Sequence, residues 1–223
     1  RPMTHSLEIR LLGPFEVAVG GRPVDVSGNK RHGLLALLAL RCGRVVGVDD
    51  LVDALWGEEL PAAPRNAVQH HVARLRPALG PDAIVASPDG YALTDATVDA
   101  LRFEELLGEA RGALRAGDAG AAAESVALAL ELWRGPALHG LTDTAWFSAE
   151  ARRLESLRAD ALEGRRGILH YGDRKSEIGG RAHGGGYAVI GGQADDHEVV
   201  DAGPVKVSLE LRTEEGAVDG LSE

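Results

Sequence analysis

Between Glu59 and Asp82 the sequence carries no acidic residue, while Arg65, Asn66, Gln69, His70, His71, Arg74 and Arg76 all fall inside that window. Arginine can make a bidentate contact to guanine, and asparagine, glutamine and histidine can bond base edges or phosphates. Spacing matters as much as type. Val68, Val72, Leu75 and Leu79 recur at i, i+4, i+7 and i+11, which predicts a helix over 65–79 with one apolar stripe. With that stripe inward at about 100° per residue, Asn66, His70, Ala73, Arg74 and Pro77 point outward, and Gln69 and Arg76 lie on the flanks. The plain alternative is an ordinary solvated face; the acid-free window favours an anion-binding surface suited to a DNA groove. Pro77 removes a backbone bond and predicts a kink or a tightened last turn.

Other chemistries find less support. Lys30 and Arg31, at the start of an earlier helix, could grip a phosphate, although cations at a helix N-terminus disfavour the helix and a solvated pair is the competing reading. His70 and His71 sit about 100° apart on a helix and no Cys or HExxH spacing accompanies them, so no metal is expected. The glycine clusters from Gly179 to Gly192 hold no phosphate-binding signature, and no cofactor is expected. No nucleophile elbow or paired-carboxylate set can be assembled, so the chain is not read as an enzyme. Trp56, Trp133 and Trp146 lie at apolar faces and are read as core.

The elements that must position the 65–79 helix are legible as pattern. The 223 residues are 44 % hydrophobic, enough for a packed core in one or two domains. Leu7–Leu11, Phe15–Val19 and Pro23–Val26 predict short antiparallel strands with a hairpin turn at Gly20-Gly21. Asn29 is suited to cap a buried helix running through Leu34–Leu40, and Asp49–Gly57 predicts a second, short helix. After the 65–79 helix, Ile84–Ser87 and Tyr91–Thr94 flank a Pro88-Asp89-Gly90 turn and predict a terminal hairpin. Strands, three helices and a hairpin are the order of a winged helix-turn-helix.

From Asp99 the periodicity stays helical. Phe103, Leu107, Ala110 and Leu114 mark one stripe, and Val126, Ala129, Leu130 and Trp133 a second. A third helix carries Phe147, Ala151, Leu154, Leu157 and Ala161 to about Gly164. The first two form a tetratricopeptide-like hairpin, but no further copy follows. The expected division is a winged-helix unit at 7–96, a helical unit at 97–166 and a Gly-rich acidic tail at 167–223, irregular or disordered. That tail holds five basic against eleven acidic residues, part of a net charge of −10 that argues against binding through overall basicity. Met3, the single methionine, is read as the start; the lone Cys42 and the lack of a signal sequence or an 18-residue apolar run place the chain in the cytoplasm, off the membrane.

Leu34–Arg41, Val48–Gly57 and Ala67–Arg76 together resemble the actinobacterial antibiotic-pathway activators, the SARP family, and Gly90-Tyr91-Ala92-Leu93 resembles their wing. Phe103–Leu107 and Leu132–Leu138 are similar to the bacterial transcriptional activator domain that follows in this family. The resemblance covers about residues 7–166 and departs from the family pattern after Arg166. It implies an OmpR-type winged helix, binding to promoter direct repeats of double-stranded DNA, pairing on those repeats, and recruitment of RNA polymerase to activate a secondary-metabolite gene cluster. Carried over, the recognition helix falls on Arg65 to Leu79, with Asn66, His70 and Arg74 in the groove and Arg76 toward phosphate. The polymerase-contacting loop falls on Glu58, Glu59 and Leu60 onward. The rival expectation is a protein-interaction scaffold or a truncated, inactive regulator.

Overall fold

The computed structural model describes residues 6–141 and 143–177. Successive side chains of a strand point to opposite faces, so β1 (Leu7–Arg10) and β2 (Glu16–Val19), which pair antiparallel, turn Leu7, Ile9 and Val17 into the core. Gly20 and Gly21 both adopt positive φ, as a tight hairpin turn into β3 (Arg22–Pro23) requires. A further strand, β7 (Ala96–Val98), lies parallel to β1, with Leu7 opposite Ala96 and Ile9 opposite Val98. The sheet order is therefore β3-β2-β1-β7, and the chain returns to its beginning after the winged-helix elements are complete. The division expected between residues 96 and 97 falls inside β7.

Helix α1 (Asn29–Leu40) is encased: every residue from Gly33 to Leu40 is buried. Asn29 does not cap it. Gly28 occupies the cap position at φ 101°, and its carbonyl accepts from the amides of Arg31 and His32, so Asn29 is the first helical residue. The two-residue strand β4 (Val46–Gly47) leads into α2 (Val48–Trp56), whose Asp49 and Asp50 suit its positive N-terminal end. Gly57, at φ 56°, closes it with a bond from its amide to Asp53 O. Helix α3 (Pro64–Leu79) starts on a proline, which has no amide to leave unpaired, and ends at Gly80.

Strands β5 (Ile84–Ala86) and β6 (Gly90–Leu93) form the wing, and β4 pairs with β6 on its other side. The approach of β4 is so close that a Cβ built on Gly90 would stand 1.9 Å from Val46 O. Gly90→Ala is therefore expected to force β4 off β6 and to cost about 3 kcal/mol. A shift of the urea midpoint to lower concentration, with the m-value kept, checks this.

The helical part comprises α4 (Asp99–Arg115), α5 (Ala119–Glu131) and α6 (Ala145–Glu177). Helices α4 and α5 form a hairpin turned at Gly117, with the Asp118 carboxylate capping the Ala121 amide. Leu114, expected in the α4 stripe, is only half-buried, because the buried face is Ala100, Phe103, Leu106, Leu107 and Ala110. Helix α6 runs past the end expected near Gly164, so residues 167–177 are helical rather than part of an irregular tail. Gly164, Gly167 and Gly172 are isolated, and a single glycine costs a helix about 1 kcal/mol without breaking it. The expectation for 178–223 lies outside the described residues.

One apolar core joins the winged-helix part to the helical part. Gly33 of α1 leaves room for Leu55 of α2 and Phe147 of α6, and the Thr144 hydroxyl donates to Ala54 O near the end of α2. On the sheet side, Asp99 accepts from the amides of Leu11 and Leu12, and the amides of Arg134 and Leu138 donate to Leu12 O and Leu11 O. No helix among the described residues is long and apolar enough to cross a membrane.

Candidate nucleic-acid interface

Helix α3 buries Val68, Val72, Leu75 and Leu79 and leaves Asn66, Gln69, His70, Ala73, Arg74 and Pro77 exposed. Arg74 has no hydrogen-bond or ion-pair partner among the described residues, so its guanidinium is available to a ligand. Arg65 is exposed but engaged: its Nη2 lies 2.8 and 3.0 Å from the two carboxylate oxygens of Asp49 at the start of α2. An ion pair this exposed contributes little stability and exchanges readily for another anion.

Arg76, expected toward phosphate, reaches the wing. It is half-buried, and its Nε and Nη2 donate to Ile84 O of the wing at 3.3 and 3.0 Å. The side chain points along the body of the protein because α3 and β5 are linked by only four residues, which keeps the wing within a guanidinium's reach.

Lys30 and Arg31 are also half-buried. The Lys30 ammonium donates to Leu55 O and stands 5.9 Å above the Trp56 ring, where it offsets the negative end of α2. Arg31 donates to the Ser27 hydroxyl. Trp56 in turn stacks on His71 at 6.0 Å, and His71 meets His70 edge-on at 6.0 Å. Burial and then the charges of His70, Arg31 and Lys30 lower the pKa of His71, favouring its neutral ring. The run Lys30, Trp56, His71, His70 thus connects the start of α1 to the outer face of α3.

Glu58, Glu59 and Leu60 are all exposed in the loop between α2 and α3, Leu60 at 56 %. They are not brought against the basic residues by any described contact. Sequence reasoning missed Asp49 as the partner of Arg65, since early acids on a helix read as dipole partners, and missed the Trp56–His71 stack. Only the fold carries that second signal. Among the described residues no group of three or more His, Cys, Asp or Glu is placed to hold a metal.

Residues 21–93 match the model for the C-terminal domain of transcriptional regulatory proteins, and residues 98–183 match the bacterial transcriptional activator domain. The chain carries the two domains of the SARP-family regulators, in their order. It is 34 % identical over 163 residues to the regulatory protein AfsR of Streptomyces coelicolor, covering 72 % of this chain and 16 % of AfsR. It is 33 % identical over 172 residues to the regulatory protein DnrI of Streptomyces peucetius, covering 71 % of this chain and 63 % of DnrI. The solved structure of Mycobacterium tuberculosis EmbR, in complex with a low affinity phosphopeptide, superposes with a TM-score of 0.70 at 31 % identity. That match covers 77 % of this chain and 48 % of the EmbR chain. The chain thus spans less than two thirds of each of these relatives. The helical match begins at the end of β7 and runs beyond α6, past the limit at Arg166 set by the sequence resemblance.

Proposed function

We propose that this chain is a sequence-specific, double-strand DNA-binding transcriptional activator that works in the cytoplasm through binding rather than catalysis. The observation that carries this is the outer face of α3: Asn66, Gln69, His70 and Arg74 stand exposed on a helix with no acid from Leu60 to Pro81. A major groove accepts such a helix, Arg74 supplies the bidentate donor for guanine, and Asn66 and Gln69 suit adenine. Arg65 exchanges Asp49 for the DNA backbone, and Lys30 and Arg31 lie at the near end of α1. Similarity to relatives named as regulatory proteins supports the same reading.

The finer parts of the proposal follow the family. The chain binds promoter direct repeats as a pair, the Glu58–Leu60 loop meets RNA polymerase, and the genes served belong to a secondary-metabolite cluster. The decisive substitution is Arg74→Ala. It removes an exposed side chain with no partner among the described residues, so the unfolding midpoint is expected to stay put while affinity for the duplex upstream of its own coding region falls by about tenfold or more. Fluorescence anisotropy at one fixed salt concentration reads this; equal affinity of the two proteins would remove α3 from the interface.

A further inference from the structure

Strand β5 is the edge of the wing sheet, whose order is β4-β6-β5. Antiparallel partners alternate between hydrogen-bonded and non-bonded pairs. The Thr94 amide donates to Ala83 O, and Ser87 and Gly90 exchange bonds, so of the three pairs between them Val85 opposite Ala92 is bonded, and Ile84 opposite Leu93, like Ala86 opposite Tyr91, is non-bonded. The carbonyl of Ile84 therefore faces away from β6, toward the open edge. Arg76 fills that edge, with two guanidinium nitrogens on the one oxygen. Its own carbonyl accepts from Gly80, the residue that ends α3, so the same residue closes the helix and holds the strand. Pro77 follows directly and lacks the amide that would bond back to Ala73. The last turn of α3 is thus short of one backbone bond where this side-chain link begins.

We infer that Arg76 is a positioning residue, a strut that sets the wing at a fixed distance from the groove-reading face of α3, so that the two elements meet the duplex in register. This rests on the DNA-binding reading above. It assigns Arg76 no phosphate: the guanidinium stays on Ile84 O in the complex, and the residue acts on affinity through the wing. A hydrogen-bond donor of suitable length is what the position needs, and the positive charge is secondary.

The test uses the full chain and four proteins: wild type, Arg76→Ala, Arg76→Gln and Arg74→Ala. Each is titrated by anisotropy with the labelled duplex from upstream of its own coding region over a series of salt concentrations. Amide exchange in the wing, at Val85 and Ala92, is followed in parallel without DNA. The strut predicts that Arg76→Ala weakens binding by about tenfold and speeds wing exchange, while Arg76→Gln, which keeps an amide donor, recovers most of both. It also predicts that neither Arg76 variant changes the slope of log affinity against log salt. A phosphate contact would instead lower that slope by about 0.9 in both variants, with no recovery by Gln, and would overturn the inference. So would wing exchange and affinity equal to wild type in Arg76→Ala. Failure of wild type to bind any duplex at low salt would overturn the DNA-binding reading; the exchange data would then still decide whether Arg76 holds the wing.

Discussion

Asp99→Ala is expected to lower the unfolding free energy by about 4 kcal/mol. The carboxylate is 9 % exposed and serves four donors: the amides of Leu11 at 2.6 Å, Leu12 at 3.1 Å and Ala100 at 2.8 Å, and Arg134 Nη2 at 3.3 Å. Bonds to a charged acceptor are worth about 1.5–3 kcal/mol each, and their removal strands the amides of two buried leucines beneath the helical part. These contributions are not additive, because the four donors share two oxygens. Asp99→Asn keeps one acceptor oxygen and should cost about half as much. Arg134→Ala should cost less still, since Arg134 is 25 % exposed and the backbone donors remain on Asp99. Urea denaturation of the three variants checks the order; a loss below about 1 kcal/mol for Asp99→Ala would mean that Asp99 is not the joint between sheet and helices.

Phe147→Ala is expected to cost about 4 kcal/mol by a different route, the loss of a fully buried aromatic and the cavity it leaves. Phe147 is 2 % exposed and meets Trp146 edge-on at 4.8 Å. It also lies against α1 at Gly33, where a Cβ would come within 3.3 Å of its ring and 2.9 Å of Leu55. It belongs to the helical part by sequence, yet its ring packs beneath the two helices that carry α3. The loss should therefore appear as one cooperative transition with coincident far-ultraviolet circular dichroism and tryptophan fluorescence. Two separated transitions, with only the helical one displaced, would contradict a shared core.

How much of this was legible in the sequence depends on the range over which each signal acts. Helix α3 declares itself through Val68, Val72, Leu75 and Leu79, and the wing through Pro88-Asp89-Gly90, because periodicity and turn chemistry are local. Strand β7 does not: Ala96-Thr97-Val98 is too short to show alternation, and its partner β1 lies near the other end of the winged-helix part. Asn29 has the right type for a cap, but Gly28 reaches the positive φ that the chain takes there. The expected end of the third helical stripe near Gly164 follows from weighting glycine as a stop, whereas single glycines only weaken a long helix. The exposed positions of α3 follow from a helical wheel, since the buried stripe fixes the opposite face. The attachments of Arg65 to Asp49 and of Arg76 to Ile84 O do not, because each depends on where another element is packed.

Whether the exposed face of α3 reads duplex DNA is decided by the salt dependence and sequence dependence of binding. The wild-type chain is titrated with the duplex upstream of its own coding region and with a shuffled duplex of equal length and composition, across a series of salt concentrations. Groove reading by α3 predicts saturable binding that strengthens as salt falls, with a slope of several counterions, and tighter binding to the natural duplex by about 10³-fold or more. Equal affinity for the two duplexes would contradict sequence reading by α3, and no saturable binding at the lowest salt would contradict DNA recognition altogether.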